Sequence, residues 1–463
     1  MRNRISAVLL STVVFTAPLG ITGCERDTTG LDLAPFPTDP VVFRDVFNGI
    51  DYQAFAGSKL DALSVDTDEH YLGDASIKIA VPDVGYAGGA ITANAPRDLS
   101  QYNAVAFWVK ASMAATLDIA GYGNDNTDAL PYQGSVSNIP LTTTWQRHIL
   151  PIPRTGLMTP ERGLFFFSEG PENGLGYDIW FDEIEFVKSD AISNPRPVMR
   201  QDDVGTVTGV QFSVGGTFTA FDVTVPAPAT LQVNHAPAYF TFLSSDESVA
   251  TPSGGGIRVV GGGTADITAQ LGAIAVAGRF TVRALDPPTD PAPRPTIPAA
   301  NVISIFSNAY TNRPADFSPS FSQASVSEIK ISGDNVKVYN IPTALDVAVI
   351  DFGANTINAT AMTHVHIDIW APEGTFFGLG LFSFGADGVF SGEPVPSGDD
   401  SQKLVAVVPP QLVFGEWLSL DLPLSSYTVP GGLKETAHLA QIILRSDSVL
   451  LLVDNIFFYN AGN

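Results

Sequence analysis

The chain has 463 residues, a formal net charge of −24, 42 glycines, 34 prolines and a single cysteine. Such a charge repels nucleic acid phosphates, and one cysteine excludes disulfides within the chain and thiolate metal sites. Short Val/Ile/Phe/Thr runs with no long helix-period segment predict an all-β chain of two to four domains.

In chain order, Arg2 and Arg4 precede the apolar run ISAVLLSTVVFTAPLGI, which is short for a membrane span, and ITGC then ends on Cys24. These features resemble a bacterial lipobox. The resemblance implies that residues 1–23 are a signal peptide and that Cys24 carries the lipid, anchoring the protein to a membrane. Glu25 gives no sign of retention at an inner membrane, so the expected location is the outer membrane, facing the cell surface. Residues 24–40 read as a flexible tether.

Two junctions divide the rest, the turn-rich KSDAISNPRP (188–197) and the Pro-rich DPPTDPAPRPTIP (286–298). The outer blocks, 41–188 and 299–461, match each other. TTTWQRHILPIP parallels FGEWLSLDLPLS, YNAVAFWVK parallels MTHVHIDIW, and YDIWFDEIEF parallels LLLVDNIFFY. Trp145 lies 37 residues before Asp182, and Trp417 lies 37 before Asp454. An ordered series at one interval is an internal repeat. Val105, Phe107 and Val109 share one strand face, with Trp108 and Lys110 on the other. In the second block Val365, Ile367 and Ile369 oppose His364, His366, Asp368 and Trp370. Each outer block is thus expected to be an antiparallel sandwich, with 287–298 as a Pro-rich linker.

Asp182, Glu183 and Glu185 crowd three carboxylates into four positions, but the second block has Asn455 and Phe457 where the first has the glutamates. A catalytic pair would survive as carboxylates, so the element reads as structural. There is no Glu-x-Asp-x-x-Glu, His-Glu-x-x-His or Gly-x-Ser-x-Gly string.

Block 41–188, through VVFRDVFNGI, EHYLGDASIKIAVP and IWFDEIEF, resembles the galactose-binding-like carbohydrate-binding modules. Block 299–461, through NVISIFSNAY, SFGADGVF and LLLVDNIFFYN, resembles the module appended to bacterial β-glucanases. FTFLSSDESVATPSGGGIRVVGGGTADITAQLG (240–272) resembles a group 2 bacterial immunoglobulin-like domain. These resemblances imply two antiparallel jelly-roll sandwiches flanking an immunoglobulin-like sandwich at 195–286. In the resembling modules Ca²⁺ ties the first strand and the following turn to the Asp of the last strand. That implies Asp45, Asp68 and Asp182 with backbone oxygens near Gly73 and Ser76, and in the second block Asn308, Asn335 and Asp454. The alternative is that Asp182 and Asp454 bond backbone N–H groups.

Sugar binding needs aromatic planes beside polar side chains. The candidates are Trp108, Lys110, Tyr122, Asn124, Asp125 and Tyr132 in the first block. In the second they are His364, His366, Asp368, Trp370 and Asp387, with Phe384, Asp399 and Asp400 nearby. Trp145 and Trp417 are assigned to the sandwich cores, and the middle domain and linker to spacing the sandwiches apart. The resulting expectation is a non-catalytic, lipid-anchored protein that captures polysaccharide or oligosaccharide, with neighbouring glycosidases or importers as partners and no nucleic acid. The alternatives are a glycoside hydrolase or an accessory subunit of one, and a cell-surface adhesion or scaffold protein.

Overall fold

Strand Ala104–Ala111 shows how each sheet is built. Val105, Phe107 and Val109 are fully buried, while Trp108 and Lys110, pointing the other way, are half-buried. The computed structural model describes residues 34–127, 131–343, 346–392 and 395–462; the expected signal peptide and Cys24 lie outside them. Every element among the described residues is a strand or a short 3-10 turn, so the all-β expectation holds. None is a helix long and apolar enough to cross a membrane.

From Pro37 onward the chain forms one compact unit. The first sandwich has a front sheet in the order Leu63–Asp66, Ser76–Val81, Tyr177–Val187, Ala104–Ala111, Gln146–Pro151, with Val41–Phe43 also paired to Tyr177–Val187. The second repeats it as Ser325–Ile331, Asp334–Asn340, Leu450–Tyr459, His364–Trp370, Leu418–Pro423, with Val302–Phe306 on Leu450–Tyr459. The back sheets match likewise, Ala87–Arg97, Glu161–Glu169, Ala115–Tyr122 and Gly134–Leu141 against Ala348–Asp351, Leu439–Ser446, Phe377–Ser383 and Ser401–Val407.

The repeated Asp marks a bulge. After Asp182 the ladder with Ala104–Ala111 slips, and Glu183 takes a left-handed φ of 47°; Asn455, after Asp454, takes 48°. Such a φ is costly for a residue with a Cβ. Each Asp offsets it by accepting the following N–H, at 2.7 Å for Glu183 and 2.6 Å for Asn455. Glu183 and Glu185 pair with Arg44 at 2.9 and 3.3 Å, so they staple the first strand to the last.

The middle domain is no spacer. Its strands Asp202–Val207 and Phe280–Leu285 run parallel, and Gln211–Ser213, Gly256–Val259 and Ala250–Ser253 face them from a second sheet. But Ile192–Val198, Phe218–Val223 and Ala229–His235 extend the back sheet of the first sandwich to eight strands, through Asn234 against Ser135 and His235 against Gly134. One apolar core therefore runs from the first sandwich into the middle domain. The Pro-rich linker is also fixed: Trp417 donates to the Asp290 carbonyl at 2.9 Å, Ser332 to Thr289 at 3.0 Å and Tyr310 to Ile297 at 2.8 Å. The spacing role expected for both segments is corrected by these pairings.

Candidate functional site

The outer face of the first front sheet gathers that module's three tryptophans, Trp108, Trp145 and Trp180. Trp180 sits between two lysines, with the Lys78 and Lys110 ammonium groups each 5.3 Å from its ring. Its indole N–H donates to Asp66 at 2.9 Å, which holds that carboxyl below its usual range. Lys110 also lies 6.0 Å from the ring of Trp145 and pairs with Glu69 at 3.0 Å; Lys78 pairs with Asp178 at 2.8 Å. Tyr71, 40% exposed, stacks on Trp108 at 3.7 Å and 15° and reaches Trp145 at 6.0 Å. The result is an aromatic and cationic surface whose charges are locally balanced.

Several expectations change here. Trp145 is not a core residue; it belongs to this outer face, half-buried beside Lys110. Trp108 presents itself through Tyr71, which covers it. Tyr71 was not foreseen, because a loop aromatic carries no periodic signal. Tyr122 is wholly buried, donates to the Pro151 carbonyl and cannot meet a ligand. Tyr132 packs edge-on against Tyr239 at 5.5 Å, and its carbonyl accepts from the Tyr239 hydroxyl, so it joins the first sandwich to the middle domain. Asn124 and Asp125 accept from the turn N–H groups of Asn126 and Thr127.

The equivalent face of the second sandwich is closed. By strand register Lys110 corresponds to Trp370, opposite Leu452, and Trp108 corresponds to Asp368. Trp370, Val338, Leu450 and Leu452 form an apolar cluster with Val207, Val210 and Phe212 of the middle domain. Trp370 is 7% exposed, and its indole N–H is buried without a partner. The ligand role expected for Trp370 is therefore overturned, and Trp417, expected in the sandwich core, packs at this same seam. The polar row beside it is consumed too. Asp368 accepts from Ser419 and from Asn455 at 2.8 Å. His366 lies between Asp421 at 2.8 Å and Asp368 at 3.4 Å; burial opposes its charge, but the two carboxylates outweigh that and raise it to about 9. His364 stacks on Tyr459 at 5.1 Å. Asp387 and Asp399 accept from Val389 and Ala386 in their own loop, and Asp400 from Ser391.

The two expected calcium sets differ as sharply. In the first sandwich Asp182 accepts from Tyr71 at 2.7 Å and Leu72 at 3.1 Å besides Glu183, and Asp45 accepts from Asp74 at 2.5 Å and Ala75 at 3.1 Å. A Cβ on Gly73 would lie 2.2 Å from the Asp45 carboxylate, so only glycine fits there. Ser76 donates its hydroxyl to Glu69, and Asp68 is exposed. Asp182 thus has both oxygens engaged by N–H donors and Asp45 one of its two, which leaves little of this set for a cation. In the second sandwich a tight hairpin replaces the 67–75 loop, and the donors go with it. Asp454, Asp334 and Asn335 each bury a side-chain oxygen with no donor. Burial and the nearby Asp334 and Asp368 push Asp454 up to about 7. The Asp334 and Asp454 carboxylates repel one another and fit a hard cation such as Ca²⁺, whereas Asn335, next to Asp334 on its strand, alternates to the other face and does not join them. Asn308 is exposed and lines the adjacent pocket with Asp334.

No family model matches this chain, and no curated protein does. Among solved structures it is similar to the family 30 carbohydrate-binding module of a cellulosomal cellulase of Clostridium thermocellum, at 21% identity and TM-score 0.27, covering 33% of this chain and 98% of that one. It is also similar to a family 11 module of C. thermocellum in complex with a β-1,3-1,4-mixed-linked tetrasaccharide, at 14% identity and TM-score 0.22, covering 32% and 86%. A tandem pair of family 22 modules from Paenibacillus barcinonensis Xyn10C covers 92% of this chain and 99% of its own, at 9% identity and TM-score 0.21. These are likenesses of architecture; what each face can bind is set by its own side chains.

Proposed function

We propose that this protein is a non-catalytic glycan-binding protein that captures polysaccharide or oligosaccharide on the front sheet of its first sandwich. The observation behind the reading is the row of Tyr71, Trp145 and Trp180 with Lys78 and Lys110 interleaved. Pyranose C–H faces stack on such rings, and ammonium groups donate to hydroxyls. The carboxylates with raised protonation ranges serve the fold. Glu161 and Glu169 are pushed to about 7 by burial, yet Glu161 accepts from Gly163, and Glu169 from Tyr177 and Asp118. Asp334 and Asp454 of the second sandwich hold a structural cation, Ca²⁺ by their oxygen chemistry. Cys24 carries the lipid that retains the protein at the outer membrane, where glycosidases or importers act on what it captures.

A panel of soluble oligosaccharides titrated into the full chain tests the reading. Trp180→Ala and Tyr71→Ala should each weaken binding about tenfold or more, by analogy with aromatic stacking on nucleobases. Release of reducing ends would instead make the protein a hydrolase. A second reading has one observation in its favour: the equivalent face of the second sandwich takes a protein domain. If no glycan binds and Trp180→Ala changes the oligomeric state, the front face is a protein-docking surface.

A further inference from the structure

The seam between the middle domain and the second sandwich stops short of the sheet edge. On the face of strands Ser325–Ile331 and Asp334–Asn340 that meets the middle domain, Ile329, Ile331, Val336 and Val338 are covered. The same face then turns polar: Ser327 stands opposite Val338, and Ser325 opposite Asn340. There the two bodies part into a cleft of about 560 Å³.

Its walls are chemically unlike. One carries Phe212 and Phe280, ring centroids 5.3 Å apart, with Val204 beside them. The other carries the hydroxyls of Ser325 and Ser327 and the amide of Asn340, none of which bonds to another described side chain or backbone group. The rim charge is balanced, because Arg200 pairs with Asp202 at 3.2 Å. An anion would find no unpaired cation here, and a wholly apolar ligand would strand the hydroxyl wall. A pyranose has both characters, with C–H faces for the rings and hydroxyls for the serines and amide. Clefts between domains are also where small-molecule sites concentrate.

We infer that this cleft is a second saccharide site, separate from the front face of the first sandwich, and that it takes a neutral sugar unit between Phe212 and the Ser327–Asn340 wall. It exists only because the middle domain docks on the second sandwich, so neither domain carries it alone.

The test is calorimetric titration of cellohexaose, laminarihexaose and maltohexaose into the full chain. The background is Tyr71→Ala/Trp180→Ala, in which the front face is disabled. On that background one equivalent of at least one hexaose should still bind. Adding Ser327→Ala and Asn340→Ala should weaken it about tenfold or more, through loss of two hydrogen-bonding groups. The melting temperature should stay within a degree or two, because both groups stand at the cleft surface. Absence of residual binding overturns the cleft and leaves the front face intact. Residual binding indifferent to Ser327 and Asn340 overturns it as well. If instead the front-face variants bind as the wild type does and only the cleft variants weaken, the cleft stands and the front-face reading falls.

Discussion

Tyr177–Val187 of the first sandwich and Leu450–Tyr459 of the second are equivalent strands, yet their surroundings differ. In the first, buried and half-buried side chains alternate; in the second, every residue is buried. Alternation means one covered face, and continuous burial means two. The first strand offers Trp180 outward beside lysines, and the second offers Leu452 to a docked domain. One repeat has thus put the same sheet face to two uses. What decides between them is whether positions 78, 110 and 180, and their equivalents, are amphipathic or apolar. Lys78, Lys110 and Trp180 correspond to Val338, Trp370 and Leu452.

The largest expected effect is at the closed face. Trp370→Ala should destabilise the second sandwich and its seam by about 3–5 kcal/mol, as a buried large-to-small change. Trp180→Ala, half-exposed, should cost well under half of that. Denaturant unfolding of the two variants checks the difference, and equal losses would erase the distinction between the faces.

The repeated aspartates sharpen the comparison next. A cation bound only by the native state stabilises it by RT ln(1 + [L]/Kd), about 2.7 kcal/mol at a hundredfold excess over Kd. Chelation should lower the melting temperature, and Asp334→Ala should remove that response. Asp182→Ala should destabilise by about 1–3 kcal/mol, since it strands the N–H groups of Tyr71 and Leu72, but should leave the chelator response intact. A chelator response that disappears with Asp182 and survives loss of Asp334 would reverse the assignment.

Acid–base behaviour separates the halves as well. His366, raised to about 9 by Asp368 and Asp421 against burial, adds stability that is complete below its unfolded value near 6.5. That contribution, up to about 3 kcal/mol, is lost as pH rises from 6.5 through 9. In the first sandwich and its sheet extension, burial lowers His148 and His235 to about 4, so their contribution is lost as pH falls from 6.5 towards 4. Burial raises Glu161 and Glu169 to about 7, so theirs is lost as pH rises from 4.5 to 7. The two pairs oppose each other between 4.5 and 6.5. His366→Gln should therefore flatten the alkaline limb of a stability–pH curve and leave the region between 4.5 and 6.5 unchanged. An alkaline loss that survives the substitution would assign it to another group.

Much of this was legible in sequence. The 37-residue interval from Trp to Asp located both sandwiches, and the period-two pattern assigned Trp108, Lys110 and Trp370 to outer faces. Periodicity does not say what covers a face. The residues that close the second one, Val207, Val210 and Phe212, are more than a hundred positions from Trp370. A signal was nevertheless present: LLLVDNIFFY lacks the alternation of YDIWFDEIEF, as a strand covered on both sides should. Trp145 and Trp417 were misplaced because matched spacing in a repeat marks equivalent positions, outer as readily as core. The contrast between Asp182 and Asp454 rests on hairpin length, since the 67–75 loop brings N–H donors that the Ser332–Gly333 turn lacks.

The most direct test uses the five tryptophans as reporters, Trp108, Trp145, Trp180, Trp370 and Trp417. In the full chain labelled with 5-fluorotryptophan, each gives a fluorine resonance assignable by substitution. In the Ser327→Ala/Asn340→Ala variant, whose cleft is disabled, saturation with a binding oligosaccharide should shift Trp145 and Trp180 and leave Trp370 in place. A shift at Trp370 with silent first-sandwich resonances would contradict the account, because it would make the closed face the one that binds.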